Sequence, residues 1–343
     1  MNHLHNRNIL LTGGAGYIGS HTCVMLQQLG FSVIIYDNFS NSSLSVIDEI
    51  KKISGYAPDF VQGDILDFDL LKSTLMKYKI NAVVHFAGLK SVKESIDNPS
   101  RYHRVNVEGS KNLFKAMEAC KIFSIIFSSS ATVYGDPVFL PITESHPLNP
   151  KNPYGDTKLE VERCLESLAA QNSKWRIVSL RYFNPIGAHE SGLIYENGLT
   201  EQSNIMPLLL KVASGQKKFL EVYGDDYNTK DGTGIRDYIH IMDLADAHCS
   251  ALEFLYDSNK PFLGFLSVNI GTGIGYSVLD LISEFYQATK IKIPYQVKSK
   301  RPGDIDVSFA DSSLANTKFR WEARRDLQQM CASAWNAINS KNN

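Results

Sequence analysis

The chain has 343 residues, with 35 Lys and Arg against 36 Asp and Glu, and the resulting net charge of −1 gives no electrostatic case for nucleic acid or an anionic membrane surface as partner. Apolar residues make up 43% and charged residues 21%, the balance of a soluble globular enzyme, and the length suits two domains or one large one. The N-terminal M-N-H-L-H-N-R-N has no apolar core of a signal peptide, no apolar run approaches the ~20 residues of a bilayer span, and the scattered cysteines (Cys23, Cys120, Cys164, Cys249, Cys331) form no C-x-x-C pair, so a cytoplasmic protein with free thiols is expected.

Short runs rich in Ile, Val, Phe and Leu predict strands at Asn8–Leu11, Ser32–Tyr36, Asp59–Gln62, Ala82–Phe86, Ile122–Phe127 and Arg176–Arg181. Helical periodicity fills the intervals near residues 18–29, 43–54, 67–78, 100–119 and 154–170. Regular β-α alternation predicts a doubly wound, parallel, Rossmann-type α/β sheet with helices on both faces. After Phe183 the rhythm gives way to longer loops, among them Gly224–Gly234, with helical patterns near 205–214, 243–257, 277–289 and 326–339. The expected division is a nucleotide-binding domain over residues 1–183 and a smaller, mixed α/β substrate domain over 184–343. Segments near 240–270, including Leu266–Ile270, are expected to return to the first sheet.

Directly after the first strand stands T-G-G-A-G-Y-I-G, with Gly13, Gly16 and Gly19 in G-x-x-G-x-x-G spacing. Glycines there let the backbone approach a pyrophosphate seated on a helix N-terminus, although a glycine-rich turn can also serve only to pack helix on strand. Asp37 ends the second strand, where a carboxylate accepts hydrogen bonds from the ribose hydroxyls and repels a 2′-phosphate, which favours NAD over NADP. Asp64, just past the third strand, suits either an adenine edge or a helix cap. The fourth strand leads into H-F-A-G-L-K (His85–Lys90) and the fifth into F-S-S-S-A-T (Phe127–Thr132). Ligands of open α/β sheets bind beyond the carboxyl ends of the strands, so these segments are expected to converge on one crevice.

Tyr154 and Lys158 follow in N-P-Y-G-D-T-K, four residues apart and so on one helix face, about 5–6 Å apart at Cβ. A free phenol with a pKa near 10 is phenolate in roughly one molecule per thousand at neutral pH, and lowering it to about 7 needs roughly 4 kcal/mol. An adjacent ammonium together with a cationic cofactor is expected to lower it. A Y-x-x-x-K alone is in most cases an ordinary exposed helix face; the glycine loop and the serine run make the combination specific. The nine histidines show no ligand spacing on a shared element, so no metal is expected.

These strings, with L-R-Y-F-N-P-I-G-A-H, D-G-T-G-I-R-D-Y-I-H and R-P-G-D-I (Arg301–Ile305), resemble the extended short-chain dehydrogenase/reductase superfamily and, within it, the UDP-glucose 4-epimerase family, from about Asn8 to Trp335. The resemblance implies that Tyr154 as phenolate deprotonates the sugar 4-hydroxyl while hydride passes from C4 to NAD. The 4-keto sugar then swings about its diphosphate and takes the hydride back on its other face. It also implies that Lys158 supports the phenolate and the nicotinamide ribose, and that Ser130 orients the reacting oxygen with Thr132 beside it. On the cofactor side it places the Tyr17 and Ile18 amides at the pyrophosphate, Asp37 and Asn38 at the ribose, and Asp64 and Ile65 at the adenine. Phe86, Ala87, Lys90, Asn106, Ser128 and Tyr182 line the rest of that cleft. On the sugar-nucleotide side it implies Lys90, Ser130, Tyr154, Asn184, Asn204, Tyr223, Arg236, Arg301 and Asp304; two guanidinium forks suit a diphosphate.

One position departs from relatives restricted to non-acetylated sugars: Ser308 stands where they carry tyrosine, which resembles members that also accept UDP-N-acetylglucosamine. A 4,6-dehydratase on this scaffold needs an acid pair beside the serine, where this chain has Ala131 and Thr132. A decarboxylase or glucuronate epimerase needs a further cation for the sugar carboxylate, and none is evident. A non-catalytic NAD-sensing protein remains the reading of a different class. The expected partners are a UDP-hexose and a second copy of the chain, paired as in relatives through helices carrying Leu113, Phe114, Met117, Val161 and Leu165, unless those stripes pack onto the sheet.

Overall fold

The computed structural model describes residues 7–197, 204–257, 261–301 and 303–342; the first six residues of the N-terminal string and Pro302 of R-P-G-D-I lie outside them. Strands β1 (Asn8–Thr12), β2 (Ser32–Asp37), β3 (Asp59–Gln62), β4 (Ala82–His85), β5 (Ser124–Ser130) and β6 (Arg176–Tyr182) alternate with helices, as the apolar runs predict. Three short strands follow, β7 (Asn184–Ile186), β8 (Leu220–Tyr223) and β9 (Ile235–His240), before the helix Ile241–Leu255 and strand β10 (Gly264–Ile270). Strands β1 to β6 and β10 form one all-parallel sheet in the order β10-β6-β5-β4-β1-β2-β3. The expected return of residues 266–270 is therefore realised along the whole of β6, from Gly264 opposite Arg176 to Ile270 opposite Tyr182.

Side chains alternate across this sheet. Ile9 and Leu11 face a core shared with the helices Tyr17–Gln28 and Ile241–Leu255, whereas Leu10, Ile34, Val83 and Ile125 face a second core under Phe68–Lys77, Gly109–Ala119 and Pro153–Gln171. Burial on both faces explains why these strands read as unbroken apolar runs. Leu113, Phe114, Met117, Val161 and Leu165 all lie in the second core, packed within the single chain. Those residues hold their helices to the sheet and leave the argument for a dimer seam without its apolar stripe.

A smaller layer closes the carboxyl ends of the strands. Strand β9 pairs with β7, with β11 (Gly275–Ser277) and with β13 (Val307–Ser308), and β8 pairs with β12 (Tyr295–Lys298). Its core joins Tyr238, Leu209, Leu281, Phe285 and Met330 from that sheet and three covering helices. The short strands β7, β8, β9, β11, β12 and β13 were not predicted; two to six residues with polar neighbours carry too little periodicity to stand out.

Candidate active site

The strand order reverses around β1, which lies between β2 and β4, so the crevice opens where the glycine loop leaves β1 and the H-F-A-G segment leaves β4. The two backbones touch there. A Cβ on Gly13, which sits at φ +68°, would lie 2.6 Å from the Ala87 nitrogen and 2.8 Å from its Cα. Gly19 is equally confined, since its Cβ would meet the Gly13 oxygen at 2.6 Å. Gly16 caps the helix Tyr17–Gln28 without a side-chain hydrogen bond, leaving the first-turn amides, including those of Tyr17 and Ile18, for an anion. The Tyr17 hydroxyl turns away and donates to the Gly187 carbonyl at 2.7 Å.

Asp37 is buried at the end of β2 and already accepts from the Ala15 amide (3.0 Å), the Phe39 amide (2.8 Å) and the Ser42 hydroxyl (3.3 Å). Burial raises its carboxyl above the ordinary range while those donors oppose the rise. It therefore clamps the glycine loop to β2, which fixes the cradle as well as presenting a charge to it. Asp64 does not cap the next helix; Asp67 does, accepting from the Leu70 amide at 3.0 Å. Asp64 instead accepts from Asn38 (3.1 Å) and from the Leu66 amide (2.9 Å), with Ile65 buried beside it. A deep loop, backbone amides at a helix start and a carboxylate at the second strand fit a dinucleotide.

Phe86 and Ala87 border the loop, with Phe86 packed on His248 at 4.9 Å between ring centroids. The helix from Pro99 to Ala119 contains a π-turn at His103–Glu108 that puts Asn106 inward. Asn106 accepts from the Leu89 amide (2.7 Å) and donates to the Leu89 carbonyl (3.0 Å) and the Thr157 hydroxyl (3.1 Å). It ties the β4 loop to the helix that carries Tyr154.

Pro153 and Asn152 start that helix: the proline stands in its first turn and Asn152 caps it through the Gly155 amide at 2.9 Å. Tyr154 is partly buried and Lys158 buried, and both face the end of β5. Lys158 donates to the Ser128 carbonyl at 2.7 Å, and its ammonium lies 5.0 Å from the Phe127 ring centroid and 5.8 Å from that of Tyr154. Ser130 accepts from the Thr132 hydroxyl (3.0 Å) and amide (3.2 Å). Tyr182, on β6, shares a short hydrogen bond with His248. The expected acidification of the phenol is absent in the protein alone: burial pushes Tyr154 up to about 12, opposed by the Ser130 hydroxyl. Burial also lowers Lys158 to about 8, opposed by Glu162. Desolvation penalises both charges, so the phenolate needs further positive charge brought into the cleft.

Four of the residues expected at the sugar nucleotide form two pairs at the rim of the smaller layer. Arg301 stacks 3.8 Å above the Tyr223 ring, and Arg236 binds Asp304 at 3.1 Å. Ser308 on β13 is buried and lies opposite Arg236 on β9. Asn184 begins β7 and is exposed, opposite Tyr238. Lys90 and Asn204 come together through a residue the sequence did not single out: both bind Glu196 Oε1 at 2.7 Å.

The chain matches the family model described as GDP-mannose 4,6 dehydratase over residues 10–334. It is 47% identical over 327 residues to the UDP-glucose 4-epimerase of Bacillus subtilis (strain 168), covering 95% of each chain. The chain belongs to the UDP-glucose 4-epimerase family. Two solved epimerases share its backbone at a TM-score of 0.94. The one from Stenotrophomonas maltophila, with bound NAD and formylated UDP-arabinopyranose, is 47% identical, covering 98% of this chain and 99% of that one. The one from Bifidobacterium longum, in complex with NAD+ and UDP, is 42% identical at the same coverage. Beside Ser130 the chain carries Ala131 and Thr132, neither of them a carboxylate.

Two acids organise the epimerase-family site without having been singled out. Asp237, fully buried between Arg236 and Tyr238, accepts from the Thr272 amide (2.8 Å) and hydroxyl (2.6 Å), the Gly273 amide (2.9 Å) and the Ala310 amide (3.1 Å). It knots three segments behind Arg236 and Ser308. Its place inside D-G-T-G-I-R-D-Y-I-H was the available signal. Glu162 lies one further turn along the helix from Lys158; a third member of the i, i+4 stripe was legible, but its partners come from a distant strand.

Proposed function

We propose that the protein holds NAD and interconverts UDP-glucose and UDP-galactose by oxidising and re-reducing sugar C4. The observation that carries this is the meeting of Tyr154, Lys158 and Ser130 at the carboxyl ends of β4 and β5, beside the Gly13 loop that the Ala87 backbone closes. Gly13, Gly16 and Gly19 with the Tyr17 and Ile18 amides would hold the pyrophosphate. Asp37 and Asn38 would hold the ribose, Asp64 and Ile65 the adenine, and Phe86, Ala87, Asn106, Ser128 and Tyr182 the nicotinamide half. When bound, NAD supplies the hydride acceptor and donor at C4 and a cationic ring that favours the phenolate.

Tyr154 takes the proton of the 4-hydroxyl and later returns it, so base and acid are one residue in two states. Ser130, hydrogen-bonded to Thr132, holds the reacting oxygen, and Lys158 opposes the phenolate charge. Arg236 and Arg301 grip the diphosphate while Asn184, Asn204, Lys90, Tyr223 and Asp304 line the sugar nucleotide, so the 4-keto sugar turns on a fixed anchor. Purified protein incubated with UDP-glucose and no added reductant should form UDP-galactose, and Tyr154→Phe should lose at least 10²-fold in kcat. A wild type that needs added reductant to turn over sinks the proposal.

A wider sugar specificity follows from Ser308. Relatives restricted to non-acetylated sugars carry tyrosine where Ser308 stands on β13, in register with Arg236, and a serine has no ring to exclude a 2-acetamido group, so UDP-GlcNAc and UDP-GalNAc should also interconvert. Ser308→Tyr should abolish turnover of the acetylated pair and spare the other. A wild type inert toward UDP-GlcNAc ends this reading.

The division into an NAD-binding part, residues 1–183 with 240–270, and a UDP-sugar part from the rest of 184–343 belongs to the same proposal, as does a homodimer, testable by sedimentation. All five cysteines are free, and no described helix is long and apolar enough to cross a membrane; a cytoplasmic site for the reaction is the reading these support.

A further inference from the structure

Behind the Tyr154–Lys158 pair lies a charge ladder that the reaction as described does not use. The helix Pro153–Gln171 places Tyr154, Lys158 and Glu162 at i, i+4 and i+8, one stripe facing the sheet. Glu162 is 3% exposed and receives the Ser179 hydroxyl at 2.8 Å, Arg181 Nε at 3.0 Å and Arg181 Nη2 at 2.7 Å. Arg181, on β6, is equally buried and is fixed from its other side by the Tyr134 hydroxyl at 2.9 Å. Tyr134 in turn donates to Asn269 on β10 at 2.6 Å.

The ladder therefore runs Arg181⁺, Glu162⁻, Lys158⁺, Tyr154, and its three charged members are buried. With a neutral phenol it carries one surplus positive charge; with the phenolate it is balanced. We infer that Glu162 is a positioning residue for catalysis, its carboxylate keeping Lys158 protonated and shielding it from Arg181 so that the ammonium is available to Tyr154. This rests on the reading of Tyr154 as the proton-transfer group.

The other groups around the stripe do not supply that charge. His85 on β4 is buried between Thr12 (2.7 Å) and Ser110 (2.8 Å), and burial first, then the Lys158 charge, lowers it to about 3, so it is neutral. Burial pushes Tyr134 up to about 12 and Tyr182 further, and lowers His248 to about 4, so these three are neutral as well. Glu144 approaches from the loop side, where its carboxylate accepts from the Asn269 amide at 2.8 Å and only its backbone carbonyl meets Arg181, at 3.3 Å. Burial lowers Lys158 to about 8 even with Glu162 raising it. Without the carboxylate the lysine would also face the bare Arg181 cation, and both effects drive it neutral near pH 7.

The test is the pH dependence of kcat in the NAD-bound enzyme. Glu162→Gln should move the alkaline limb down by at least one pH unit and cut kcat at pH 7 at least tenfold, with KM for UDP-glucose within twofold. Glu162→Asp should restore most of the limb. Glu162→Gln with Arg181→Gln leaves no orphan guanidinium and carries the test if the single variant does not fold; its limb should fall between those of wild type and Glu162→Gln. A limb unmoved in either variant, with losses traceable only to less folded protein, overturns the inference. A second readout is independent of turnover: in protein freed of NAD, the ionisation of Lys158, read from the pH dependence of its side-chain nitrogen NMR signal assigned against Lys158→Met, should fall at lower pH in Glu162→Gln than in wild type. A wild type that fails to epimerise UDP-glucose would refute the functional proposal, while this titration would still decide the role of Glu162.

Discussion

Gly13→Ala tests whether the contact between the glycine loop and the end of β4 shapes the cofactor cradle. An alanine Cβ would lie 2.6, 2.8 and 2.9 Å from Ala87 N, Ala87 Cα and Phe86 C, all backbone atoms that no rotamer change can move. Relief requires the loop and β4 to separate by several tenths of an ångström. The left-handed φ of +68° adds about 1–2 kcal/mol for a residue with a Cβ. The overlap adds about 1–3 kcal/mol, the usual cost of forcing a methyl into packed structure. The expected destabilisation is thus about 2–5 kcal/mol. Gly55 provides the control: it has φ +89° and nothing within 4 Å of its Cβ, so Gly55→Ala carries the conformational cost alone. Urea unfolding followed by far-UV circular dichroism, on protein stripped of nucleotide so that bound ligand does not add stability, gives both values. Gly13→Ala should exceed Gly55→Ala by about 1–3 kcal/mol and should weaken NAD binding, which Gly55→Ala should spare. A difference under about 0.5 kcal/mol would show that the two backbones are not in contact and that the cradle argument is wrong.

Lys158 should cost stability in return for its chemistry. Its ionisation is lowered from 10.5 to about 8 by burial, so between those values the unfolded chain holds the proton that the folded chain has lost, and stability rises with pH through that window. Lys158→Met should therefore be inactive yet more stable than wild type by up to about 3 kcal/mol at pH 7, and the gap should close as the pH rises from about 8 toward 10; a gap independent of pH in calorimetry refutes this. Asp237→Ala removes the fully buried acceptor of three backbone amides and one hydroxyl, and about 3–5 kcal/mol of destabilisation is expected. The same change should raise KM for the UDP-sugar more than it lowers kcat, because Arg236 and Ser308 lose their backing; equal stability to wild type would contradict the knot.

The sequence by itself determined the architecture of the central sheet and the family. Strands buried on both faces must be nearly continuous apolar runs, and the helices between them must keep a period near 3.6, so both signals are local and legible. The same holds for Gly13, Asp37, Tyr154 and Lys158, whose chemistry depends on spacing along a single turn or strand end. Tertiary structure alone decided what those groups meet. It put Asp67 rather than Asp64 at the helix cap, buried Leu113, Phe114, Met117, Val161 and Leu165 against the chain's own sheet, and joined Lys90 to Asn204 through Glu196. It also set how much the acidification of the phenol must overcome: burial in the cleft pushes Tyr154 up to about 12, so the cationic cofactor expected beside Lys158 has more to offset than the spacing alone suggests. Spacing along the chain fixes which side chains are neighbours on a helix, but the dielectric around them, and the Glu162–Arg181 pair behind them, come from strands distant in sequence.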